Sequence, residues 1–70
     1  MRLDPQKTRT AREDKGFSQE DVAKASGLSK PTISRIERGF PVHNSTARLV
    51  AEVLEMQIHA LRPEKAKRKN

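Results

Sequence analysis

Lys30, Pro31, Ser34, Arg35 and Arg38 follow the spacing i, i+1, i+4, i+5, i+8. That spacing puts all five on one side of an α-helix, and no acid stands among them. The chemistry such a face offers is hydrogen bonding to base edges. Arg and Lys match the O6 and N7 acceptors that guanine shows in the major groove, and Ser donates or accepts. Pro31 has no donor and offers only apolar contact, for which a thymine methyl is the natural target. A second group of residues suits a sugar-phosphate backbone. Gln19 opens the preceding helix, where free amides and a partial positive charge favour an anion. Ser29, Thr32 and Arg38 flank the reading face and are further candidates. Contacts of this kind set position and affinity but carry no sequence preference.

Other chemistries find no footing. His43 and His59 fall in different elements, and neither a cysteine nor a nearby acid cluster completes a metal site. The serines at 18, 26, 29, 34 and 45 have no histidine at an identifiable triad position. No glycine loop is built to cradle a phosphate. The expectation is a protein that is not an enzyme, with no metal, no cofactor and no small-molecule ligand.

The composition agrees with a polyanionic partner. Seventy residues make one domain at most, and Lys+Arg 15 against Asp+Glu 9 leave a net charge of +6. Two Phe and no Trp or Tyr leave little to stack unpaired bases on, which argues against single strands and most RNA. Double-stranded DNA is the better polyanion. The absence of cysteine is compatible with a reducing cytosol. No apolar run approaches the length of a membrane span, and the N-terminal MRLDPQKT is polar. A cytoplasmic protein without a membrane partner is expected.

The elements that must position the face read as all-α. Period-2 alternation is absent, and Val and Ile fall at helical spacing. The first helix begins at Asp4-Pro5 and stops at Gly16, with only Leu3, Thr8 and Ala11 to face inward. The second starts at Ser18, with Asp21 in a shortened capping box and Phe17 and Val22 as a hydrophobic staple. Val22 and Ala23 face inward, and Gly27 makes the tight turn. The third runs from Ser29 to before Gly39, with Ile33 and Ile36 buried and Pro31 in its first turn. Phe40-Pro41 breaks the chain. The fourth runs from Asn44 or Ser45 to about Glu55 on an inward stripe of Ala47, Val50, Ala51 and Leu54. A short fifth covers about Gln57 to Leu61 and is stopped by Pro63. The folded domain is expected over residues 1–62, with a basic tail, 63–70, too charged to bury a core.

The pieces KGFSQEDVA, SGLS, TISRIERG and LVAEVLEMQIHAL together resemble the Cro/lambda-repressor-type helix-turn-helix family, also called Xre-like, over residues 8–61. The resemblance implies a compact five-helix DNA-binding domain with its helix-turn-helix at 19–38. It implies base contacts by Lys30, Pro31, Ser34 and Arg35, and phosphate or supporting contacts by Gln19, Ser29, Thr32 and Arg38. It also implies an ion pair between Arg12 and Glu37, and a two-fold contact made by the fourth helix and the end of the fifth. Three positions depart from the family's pattern. Thr8 replaces a larger aliphatic, which predicts a poorly anchored first helix. Pro31 replaces a polar base reader. Glu55 stands where glycine is common, which predicts strain at the end of the fourth helix.

Leu49, Val53 and Met56 form a second apolar stripe beside the inward one. It either widens the core or forms the contact of a homodimer, and the dimer is favoured because a monomer this small offers few base contacts. The expected function is sequence-specific regulation of transcription, of the phage or prophage repressor/Cro kind, on a palindromic operator. An antitoxin or restriction-controller protein with the same domain is the nearest alternative. A protein-interaction module that uses the fold without reading bases is the other.

Overall fold

Three of the helices begin on a side chain that accepts a backbone N–H. In the computed structural model, which describes residues 1–63, Asp4 Oδ1 accepts from Lys7 N at 2.9 Å. Ser18 Oγ accepts from Asp21 N at 3.0 Å, and Ser18 N donates back to Asp21 Oδ2 at 2.9 Å. Ser29 Oγ accepts from Thr32 N at 3.3 Å. Each cap satisfies an amide that the first turn would leave unpaired. The helices they open are α1 Pro5–Asp14, α2 Gln19–Ser26 and α3 Lys30–Ile36, followed by α4 Asn44–Leu54 and α5 Ile58–Leu61. There is no strand among the described residues. The basic tail expected over residues 63–70 lies outside them apart from Pro63.

His43 and Gln57, at the starts of α4 and α5, make no side-chain cap bond. Packing must hold these helices instead. Ala47, Val50, Ala51 and Leu54 of α4 and Leu61 of α5 are buried with Leu3, Val22, Ala23, Ile33 and Ile36 in one core. α4 lies under α2, which also packs on α3, while α5 lies on α1 and α4. Gly27 has φ 79°, and Leu28 N donates to Ala23 O at 3.0 Å. That turn carries Leu28 against the core and starts α3 on its own cap.

The weak anchoring expected of α1 does not occur. Thr8 is only 1% exposed, and its Oγ1 donates to Asp4 O at 2.8 Å, so the buried hydroxyl is satisfied. The start of the helix is also tied to the end of the fold. Asp4 N donates to Leu61 O at 2.7 Å, and Lys7 Nζ donates to Arg62 O at 3.1 Å. Polar ties between the start of α1 and the end of α5 replace the apolar residue that position 8 lacks.

Candidate nucleic-acid interface

α3 buries Ile33 and Ile36 and thereby turns its other side outward. Gln19, Lys30, Pro31, Ser34, Arg35 and Arg38 line one open groove on that side. Five of the six come from α3 and the turn after it, and Gln19 comes from the start of α2. Three are cations and none is an acid. Arg38 lies past the helix rather than on it, because α3 ends at Ile36. Gly39, at φ 89°, turns the chain so that Gly39 N donates to Ile36 O at 3.1 Å and Phe40 N to Arg35 O at 3.0 Å.

The one acid in this stretch, Glu37, is turned away from the groove and consumed inside. Arg12 Nε donates to Glu37 Oε2 at 2.6 Å and Arg12 Nη2 to Oε1 at 3.0 Å. Arg12 Nη1 donates to Phe17 O at 2.9 Å, and Gln19 Nε2 to Glu37 Oε1 at 3.1 Å. The side chains of Arg12 and Glu37 are 13% and 6% exposed. This network joins α1, α2 and the end of α3, and it fixes where α3 stands. The bond to Glu37 holds the Arg12 guanidinium above its ordinary value against the opposing effect of burial.

Two hydroxyls expected at the phosphate backbone already serve the first turn of α3. Ser29 Oγ and Thr32 Oγ1 are 2.9 Å apart and hydrogen-bonded to each other. The Nε2 of Gln19 is shared with Glu37, which leaves one hydrogen and Oε1 for other partners. Leu49 and Met56 are 39% and 38% exposed, whereas Val53 is half-buried against the core. Among the described residues no group of three or more His, Cys, Asp or Glu is placed to hold a metal. No described helix is long and apolar enough to cross a membrane.

Two features escape sequence reasoning. Phe40 has signal only as half of a chain-breaking Phe-Pro pair, yet the Arg38 guanidinium sits over its ring, 5.3 Å from the centroid. Lys15 Nζ donates to Glu55 Oε1 at 2.7 Å, a contact between residues far apart in the chain.

A model of the helix-turn-helix family matches residues 9–61. The chain belongs to that family. Its fold is the all-α, five-helix lambda-repressor-like domain, with the helix-turn-helix formed by α2 and α3. Solved structures agree. SinR of Bacillus subtilis, a master regulator for biofilm formation solved in complex with DNA, is 28% identical, with a TM-score of 0.73 over 79% of this chain and 90% of that one. The restriction-modification controller protein C.AhdI of Aeromonas hydrophila is 32% identical, with a TM-score of 0.75 over 80% and 86%. A hydroxyethylphosphonate dioxygenase superposes at 24% identity with a TM-score of 0.78 over 97% of this chain but only 15% of the enzyme, a likeness of fold alone. No curated protein matched.

Proposed function

We propose that this helix-turn-helix domain reads double-stranded DNA and regulates transcription as a small repressor of the Cro kind. In this reading α3 enters the major groove with Lys30, Pro31, Ser34 and Arg35 against base edges. The observation that carries it is the acid-free groove of α3, beside which Glu37, the one acid of residues 30–38, is already bonded to Arg12 and Gln19. Arg35 and Lys30 donate to guanine, Ser34 bonds either way, and Pro31 lies against a thymine methyl. Gln19, Ser29, Thr32 and Arg38 hold phosphates, with Gln19 using its main-chain amide and its remaining Nε2 hydrogen. The DNA complex of SinR supports the choice of duplex DNA as partner. Two copies related by a two-fold axis, touching through Leu49, Val53 and Met56, would read half-sites about 34–36 Å apart. The protein acts in the cytoplasm, where the chromosome is.

Selection from random duplexes tests this reading. An enriched inverted repeat is expected, and Arg35→Ala should weaken binding to it by about 1–3 kcal/mol and relax preference at one base. Equal binding by Arg35→Ala would overturn the assignment of the reading face. A restriction controller is the second reading, favoured by the likeness to C.AhdI. A methylase gene beside this one would decide for it.

A further inference from the structure

Phe40 is an odd residue to leave in water. It is 48% exposed, and it is one of only two aromatic residues in the chain. Its position is nevertheless tightly determined. Gly39 in the left-handed region sends the chain back, and Phe40 N is bonded to Arg35 O. Pro41 follows, and a residue before proline is confined to extended backbone. The chain beyond is tied as well, since Val42 N donates to Met1 O at 2.7 Å. An exposed ring on an ordered loop is a platform, and what lies on it is the guanidinium of Arg38. Arg38 also lines the reading groove.

We infer that Phe40 is a positioning residue, which holds Arg38 ready for a backbone phosphate at the edge of the groove. The inference rests on the proposal that this groove takes duplex DNA. Arg loses much rotamer freedom when it makes a fixed contact. A ring beneath the guanidinium takes up that loss before DNA arrives. A weakly hydrated, planar guanidinium stacks through its face. Its N–H edge then stays free for bidentate bonding to phosphate oxygens. The ring makes no contact with bases in this arrangement, so Phe40 acts through Arg38 and contributes to affinity without contributing to sequence preference.

The test is the affinity for a selected operator duplex and for a random duplex, each followed against salt, for Phe40→Leu, Phe40→Tyr, Arg38→Ala and the double variant Phe40→Leu/Arg38→Ala. Thermal melting confirms that each variant is folded. Arg38→Ala is expected to reduce the salt slope by about 1 per bound copy. Phe40→Leu should weaken both duplexes alike, by about two- to five-fold. Phe40→Tyr should restore parental affinity. In the Arg38→Ala background Phe40→Leu should have no further effect. Undiminished binding by Phe40→Leu overturns the inference, and so does a loss that persists without Arg38. Failure of the underlying reading looks different. There the parent itself selects no duplex and Arg35→Ala changes nothing, and the inference falls with it.

Discussion

Glu55 holds a backbone conformation that few side chains adopt. At φ 57° and ψ 41° it is left-handed, the one non-glycine residue with positive φ among those described. Crowding of Cβ against the next carbonyl makes that region costly for any residue but glycine. The turn is nevertheless required, because it lets Met56 N reach Ala51 O at 2.9 Å and sends the chain into α5. Lys15 offsets part of the cost. Its bond is the leading reason that the Glu55 carboxyl sits below its ordinary value, although exposed pairs of this kind contribute little. Glu55→Ala keeps the strain and loses the pair, whereas Glu55→Gly loses the pair and the strain together. The Glu55→Gly variant is therefore expected to melt about 4 °C above the Glu55→Ala variant. Equal melting temperatures in calorimetry would show that the strain does no more than balance the greater unfolded-chain entropy of glycine. Glu37 presents the opposite case, an acid in an easy conformation with both oxygens bonded. Its role is support, since stranding either partner of a shielded pair costs more than the pair contributes.

At the scale of elements, the start of α2 matters most, because this helix packs on both α3 and α4. Its capping box uses Asp21 where Glu or Gln is preferred, and the shorter side chain still reaches Ser18 N. That bond is the largest reason the Asp21 carboxyl is held below its ordinary value. A carboxyl with a lowered folded-state pKa binds its proton more readily in the unfolded chain. Its contribution is therefore present above the unfolded value and is lost as pH falls through the folded one. The parent should keep its melting temperature down to about pH 4 and lose it progressively below. Asp21→Asn should melt lower at pH 7 and show a shallower acid loss, with the remainder coming from Glu55, whose shift has the same sign. Melts followed by circular dichroism between about pH 7 and about pH 3 check this. Parallel curves for the two proteins would remove Asp21 from the acid response.

For the whole molecule the governing fact is size. A domain of about 60–70 residues buries only about 60% of the surface its chain exposes when unfolded. Leu49 and Met56 remain exposed on α4 and just beyond it, on a face that the proposed dimer would cover. Leu49→Glu should leave the fold intact, because Leu49 lies outside the core cluster. On the proposed dimer it should yield a monomer in sedimentation velocity and roughly halve the salt slope of operator binding, since half the phosphate contacts go. A parent that sediments as a monomer on and off the operator would sink the dimer and leave the reading face standing.

The helices and their order are legible in the chain because they rest on local chemistry. Asp4-Pro5, Ser18 with Asp21, and Ser29 are preferred cap residues standing just ahead of helical runs, and Gly27 makes its turn from its own backbone freedom. The outward side of α3 is legible for the same reason, as Ile33 and Ile36 define a buried stripe and periodicity places Lys30, Ser34 and Arg35 opposite it. Contacts between residues distant in the chain belong to the folded molecule alone. Thr8 reads as a weak anchor because a lone threonine has little to bury. The ties from Asp4 to Leu61 and from Lys7 to Arg62 have no local signature. Nor does the pairing of Lys15 with Glu55, or the stacking of Arg38 on Phe40, which needs Gly39 to turn the chain back. Periodicity describes one helix at a time, whereas these contacts depend on where a second element has been carried by all the turns between.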